Sequence, residues 1–170
     1  DKSAASVTGG GQITDGVNIE LFKTCDGFFK RLFAICTNNA EQHTEIAANA
    51  EESYALQKSK MKETGIATSI FDAMLQDADS RIFQKDGCAI FATKSMCDAL
   101  THDMKEKYKV IMPWEVVFDG VEVSKYDGTT IVKCSIWDRF IQAYQNNKTK
   151  LNLPHRAVLC SPENLMYGCE

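Results

Sequence analysis

The chain has 170 residues, 44% hydrophobic and 25% charged, with 19 Lys and Arg against 23 Asp and Glu for a net charge of -4. That length fits one domain, the composition is that of a globular chain rather than a disordered one, and the lack of a basic excess removes the global field that direct nucleic-acid binding draws on. No apolar run approaches the roughly 20 residues of a membrane helix, and the N-terminus lacks the charged-then-apolar pattern of a secretory signal.

Residues Asp1 to Gly16 are small, polar and glycine-rich, centred on Gly9-Gly10-Gly11, and read as a flexible leader. The single domain is expected over 17–170. Because the chain opens on Asp1 rather than Met, we expect a fragment of a longer protein. The first strong element follows: Leu21, Phe22, Cys25, Phe28, Phe29, Leu32, Phe33 and Cys36 recur at helical spacing, with Lys23, Lys30 and Arg31 on the other side. Gly27 inside that helix suggests close approach by a neighbour. From Thr44 to Met61 the signal weakens to an extended piece around Ile46 and a stretch of fair helix propensity.

Thr68 or Ser69 is expected to cap a helix with Ile70, Phe71, Met74, Leu75, Ala78 and Ile82 on one face and Asp72, Gln76, Asp79 and Ser80 toward water. Asp86-Gly87 supplies a turn. Cys88 to Ala92 is a short apolar run suited to a strand buried on both faces. Thr93 or Ser95 then opens a helix burying Met96, Leu100 and Met104 and ending among Lys105, Lys107 and Lys109, where cations suit the dipole.

After Pro113 the period becomes strand-like. Trp114 to Phe118, Val121 and Val123, and Thr129 to Cys134 are separated by Asp119-Gly120 and Asp127-Gly128, an antiparallel meander with tight turns. A short helix is expected over Trp137 to Tyr144, then a polar loop from Gln145 to Lys150. Ala157 to Cys160 reads as a last strand running into a half-turn capped by Ser161 with Pro162 at its first position, and Gly168 ends the element. The fold class implied is α/β (α+β), a sheet flanked by helices.

The seven cysteines are odd in number and irregularly spaced. Cys25 and Cys36 fall on a helix and Cys88 and Cys134 in strands, which points to reduced, buried thiols from a reducing compartment. Asn147-Lys148-Thr149 matches a glycosylation sequon, relevant only in a secretory pathway of which there is no other sign.

No catalytic, cofactor or metal site emerges. Gly11 to Gly16 lacks the Lys-Ser/Thr of a phosphate loop and has no strand before it. A metal site drawn from Cys134, His155, Cys160 and Cys169 fits no zinc spacing, and Asp119 to Thr130 lacks the acidic ligands of a calcium loop. Cys97 lies near His102 and Asp103 in sequence, but positions five apart do not share a helix face. Glu63, Asp72, Asp77 and Asp79 read as a solvated face. His155-Arg156, between Pro154 and an apolar strand, reads either as a pair hydrogen-bonded inside the fold or as a subunit contact.

Several segments together resemble the axial domain of tailed-bacteriophage major capsid proteins, in the branch from phages and prophages of Bacteroidetes-type hosts. The likeness runs over most of Asp15 to Gly168. It is carried by Asp26-Gly-Phe-Phe-Lys-Arg-Leu32, Ile46-Ala-Ala-Asn49, Asp77-Ala-Asp79-Ser-Arg81, Cys88 to Leu100, Asp119-Gly-Val-Glu-Val123 and Trp137-Asp138. The most specific stretch is Leu153-Pro-His-Arg-Ala-Val-Leu-Cys-Ser-Pro-Glu-Asn-Leu165. The long spine helix, the extended hairpin loop and the strands that return after Gly168 are missing from this sequence.

The resemblance implies a non-enzymatic structural protein of the virion capsid. Its partners would be copies of itself in pentamers and hexamers, meeting head to tail, with no cofactor, membrane or specific nucleic acid. The fragment alone would be monomeric or weakly associating. Two alternatives stay open: a small α/β enzyme using Cys97 or Cys134, and a bacterial adaptor or binding module.

Overall fold

In the computed structural model, the described residues are 28–39, 43–118, 120–143 and 149–164. The expected leader, Gly27, Asp119, the sequon's Asn147, Gly168 and Cys169 lie outside them. The architecture is mixed α/β. Five strands, β1 (Ala89–Ala92), β2 (Glu115–Phe118), β3 (Val121–Tyr126), β4 (Thr129–Lys133) and β5 (Ala157–Cys160), form one sheet in the order β2-β3-β4-β1-β5. Helices α1 (Phe28–Asn38), α2 (Tyr54–Met61), α3 (Ile66–Asp77), α4 (Ser80–Phe83), α5 (Lys94–Lys107) and α6 (Ser135–Ala143) flank it.

The meander forms as its turn residues dictate. Asp127 and Gly128 both have positive φ, 45° and 78°, which joins β3 to β4 in a two-residue turn whose twist matches the strands. β2, β3 and β4 pair antiparallel, and the register shifts between Val116 and Phe118. β1 lies inside the sheet, parallel to β4 and antiparallel to β5. Its interior place explains why Ala89 to Ala92 has no alternation of polar residues. Cys88 precedes that strand and Cys134 follows β4 rather than lying within it, although the Cys134 amide still donates to Ala92 O at 2.8 Å.

Two expectations about α3 are corrected. The helix begins at Ile66 after Gly65, so Thr68 and Ser69 sit in its first turn and neither is the cap residue. It also ends at Asp77, because Ala78 is extended; Ile82 belongs to α4, which Asp79 opens by accepting the Arg81 amide at 2.9 Å. A polar residue with a strong capping tendency therefore restarts the helix where the hydrophobic spacing alone suggested continuity. Asp72 likewise is not on a wet face: it accepts the Tyr126 hydroxyl at 2.6 Å and ties α3 to the meander.

The core is built where α3 and α5 pack over the sheet. Phe71, Met96, Cys97, Ala99, Leu100, Ile90, Ala92 and Ile131 are all fully buried. Small residues on both partners, Ala67 and Ala99 on the helices and Ala92 on β1, let the layers approach closely. Behind β5, Ser161 Oγ accepts the Glu163 amide at 3.4 Å and opens the expected half-turn, Pro162–Asn164. Gly87, at φ 73°, closes the turn before β1; a side chain there would be strained by that φ and its Cβ would crowd the Pro162 ring at 3.1 Å.

Candidate functional site

The densest set of buried polar groups lies where the chain enters β5, beside the start of α5 and the inner face of α2. The backbone of His155 is held by the side-chain amide of Asn49: Asn49 Nδ2 donates to His155 O at 2.9 Å, and the His155 amide donates to Asn49 Oδ1 at 3.0 Å. Gln57, one turn before Met61 on the buried side of α2, donates to Asn49 O at 3.0 Å and Leu151 O at 2.9 Å, and accepts the Leu151 amide at 3.3 Å. Each of these amides thus replaces strand pairing for backbone that would otherwise be buried unpaired.

The imidazole of His155 is 1% exposed. One ring nitrogen, Nε2, lies 3.1 Å from Gln57 O, which can only accept, so Nε2 carries the proton. The other, Nδ1, then accepts the hydroxyl of Ser95 at 2.9 Å. Burial pushes the ring down to about 4, against a smaller opposing pull from the Gln57 carbonyl, so the histidine is neutral throughout the physiological range.

Serine touching histidine is the contact of a nucleophile with its base, and the surroundings decide against that reading of the pair. The amides at the start of α5 that would hold a developing oxyanion are occupied: Lys94 and Ser95 donate to the Asp138 carboxylate at 2.7 and 3.3 Å, and Met96 and Cys97 donate to Thr93 O. A ring that stays neutral down to about pH 4 is also a weak base. The same double engagement of its nitrogens prevents His155 from joining Cys134 and Cys160 around a metal. Among the described residues no three His, Cys, Asp or Glu side chains are grouped to hold one.

Arg156, 7% exposed, points the other way. Its guanidinium lies 4.5 Å from the ring centre of Phe29 and 5.5 Å from that of Phe33, both on α1, and Phe29 meets Trp137 of α6 edge-on at 4.8 Å. Nε and Nη2 donate to Leu153 O and Asn152 O at 2.7 and 2.9 Å. Nη1 is buried with no partner. Stacking on aromatic rings contributes about 0.5–2 kcal/mol, while a buried donor left unpaired costs about 1–3 kcal/mol. Burial draws the guanidinium down to about 10, and Asp138 opposes the fall.

Both members of the His155-Arg156 pair are therefore turned inward, which excludes these two side chains as a surface that meets a neighbouring subunit directly. The thiols fare no better as nucleophiles. Cys97 is fully buried and its desolvated thiol is pushed far up, and Cys134 is pushed up to about 11, so neither supplies a thiolate at neutral pH. His102 is exposed on α5, whereas Asp103 is fully buried and accepts the Gly65 amide at 2.9 Å and the Thr68 amide at 3.0 Å, capping α3 from a different helix. Glu63 pairs with Lys60 and Asp79 with Arg81 on the surface.

Comparison with protein-family models, curated proteins and solved structures finds no match. The residues that build the seam and that spacing did not reveal are Gln57, Ser95 and Asp138, and Asp103, which caps α3 away from it, is equally hidden. Each is polar, sits on or beside a helix, and takes its partner from a distant segment. Among the described residues no helix is long and apolar enough to cross a membrane.

The opposite end of the sheet is unlike this seam. On the edge strand β2, Val116 and Val117 are 68% and 66% exposed, and Ile111, in the segment leading to it, is 83% exposed. Tyr108, Val110 and Val121 are exposed as well. Within β2 the exposed Glu115 is the one charged residue, and among the described residues the strand pairs on one side only, with β3.

Proposed function

We propose that this chain is a domain of a phage or prophage major capsid protein and makes subunit contacts at the capsomer centre. The observation that carries the reading is the apolar β2 end of the sheet, with Ile111, Val116 and Val117 mostly in water. Exposed apolar residues gathered along an edge strand mark a contact surface rather than a reaction centre. The segments that resemble capsid proteins support it further. Asn49, Ser95, Asp138, His155 and Arg156 come from four of those segments and meet in one buried seam. A signature made of such residues preserves architecture, as expected of a structural subunit.

On this reading the partners are copies of the chain in pentamers and hexamers within the virion, without a cofactor, a membrane or base-specific contact to nucleic acid. The deciding experiment is proteomic. Virions purified from a host carrying the gene should contain peptides from this chain at the abundance of a shell protein, with terminase, portal and maturation-protease genes beside its own. Absence from purified particles together with metabolic gene neighbours would sink the reading.

A further inference from the structure

We propose that copies of this chain dock head to tail through the two ends of α3, a lysine-rimmed apolar surface at its start receiving the acidic corner beyond its finish on the next copy. The proposal rests on the β2 end of the sheet being a contact surface and names what covers it. α2 ends, α3 begins and α5 ends at one place: the Gly65 amide donates to Asp103 of α5 at 2.9 Å, and a Cβ added at Gly65 would lie 3.9 Å from Lys107 Nζ. Every residue from Lys105 to Ile111 is exposed. Lys109, at φ 56°, takes the left-handed position that glycine usually fills after a helix, and the Val110 amide donates back to Met104 O at 3.1 Å. That turn leads the chain out of α5 and leaves Val110 and Ile111 in water. Among the described residues, Lys62, Lys105 and Lys107 pair with no carboxylate, whereas Lys60 pairs with Glu63 and Lys109 with Glu106. This end is therefore positive on a chain whose net charge is -4.

Twelve residues later, about 18 Å along α3, the sign reverses. Asp77 ends the helix, Asp79 opens α4, and Asp86 stands in the turn before β1, all three exposed. Asp79 pairs with Arg81, and Lys85 with Glu163, but among the described residues Asp77 and Asp86 pair with no cation. Phe83, between them in sequence, is 41% exposed. Each end of α3 thus carries uncompensated charge beside exposed apolar side chains, and the two signs differ. Like ends repel, which opposes a two-fold contact through either one, while unlike ends attract. The chain supplies both halves of one complementary contact. In it Ile111, with Val116 and Val117 further along the same segment, covers the Phe83 ring, and Lys62, Lys105 and Lys107 meet Asp77 and Asp86. A contact of this kind leaves one end free on each outer copy, so it repeats, as closure into a ring requires.

Sedimentation velocity of the purified chain at rising concentration and about 50 mM salt tests this. The wild type should form species beyond a dimer, and about 0.5 M salt should return it toward monomer. Lys105→Glu with Lys107→Glu should stay monomeric, and so should Asp77→Lys with Asp86→Lys, because each pair makes the two ends alike in sign. All four substitutions in one chain exchange the signs and should restore association. Where a reversal lowers the urea midpoint, the milder Asp77→Asn with Asp86→Asn replaces it and should weaken association several-fold. A wild type that stays monomeric would overturn the contact, as would a dimer that the aspartate variants leave unchanged, or no recovery in the chain carrying all four changes. The virion test is separate. Recovery in the exchanged chain with the protein absent from particles keeps this contact and sinks the capsid reading, and the reverse pair of results does the opposite.

Discussion

At the β5 end of the sheet, Asn49, Gln57, Ser95 and His155 satisfy one another inside the protein. At the β2 end, Val116 and Val117 stand mostly in water on an edge strand. The inner region spends polar groups to fix one path for the backbone that leads into β5. The outer one leaves apolar groups exposed among the described residues. A buried hydrogen-bonded residue is costly to remove because its partners stay behind unpaired, whereas an exposed valine is nearly free to change as far as the fold is concerned. The two ends should therefore respond to mutation in opposite ways, stability failing at one and association at the other.

The seam should break first at Gln57. Gln57→Leu keeps the volume but strands Asn49 O, Leu151 O and the Leu151 amide, all buried, and should cost about 3–4 kcal/mol in urea unfolding. Acid should reach the same region through His155. Its folded value of about 4 lies below the ordinary 6.5, so the unfolded chain binds the proton more readily; stability is complete above about pH 6.5 and falls as the pH drops toward 4. The full loss is at most about 3 kcal/mol. Asp138 works against it, since burial raises its carboxyl and protonation relieves a cost already present at neutral pH. Unfolding midpoints between pH 7 and 4.5 should therefore slope downward in the wild type, and His155→Gln should flatten that slope. An unchanged slope in the variant would remove His155 as its source.

Asp103 gives a smaller effect outside both ends. Asp103→Ala uncaps α3 by leaving the Gly65 and Thr68 amides without an acceptor, and should lower stability by about 2 kcal/mol, with Asp103→Asn losing less. The position also shows what spacing could and could not reveal. The chain order of the strands, the Asp127-Gly128 turn, the buried strand at Ala89–Ala92 and the Ser161 half-turn are legible, because each rests on neighbours in sequence, whereas the break between α3 and α4 is not. Thr68 and Ser69 were misread as caps since the true acceptor lies 38 residues beyond Gly65, on another helix. Asn49 and His155, 106 residues apart, are joined in the same way. A side-chain amide that replaces strand pairing for remote backbone leaves no periodic trace. His155-Arg156 was noticed only because a polar pair between Pro154 and an apolar strand is out of place, and that oddity could not choose between inside and outside.

The smallest effect on folding should come at β2, and it sharpens the contrast most. Val116→Lys with Val117→Lys places two cations on positions that are already mostly in water, so little buried area is lost and the unfolding free energy should stay within about 0.5 kcal/mol of wild type. Like charges at a strand edge oppose pairing with another chain, since each approaching copy brings the same two lysines or must bury them against apolar groups. Sedimentation at rising concentration should thus show weak association in the wild type and none in the double variant. Equal association in both would move the contact surface away from β2. A large loss of stability would mean that the two valines serve the fold, and the contrast between the two ends of the sheet would fail.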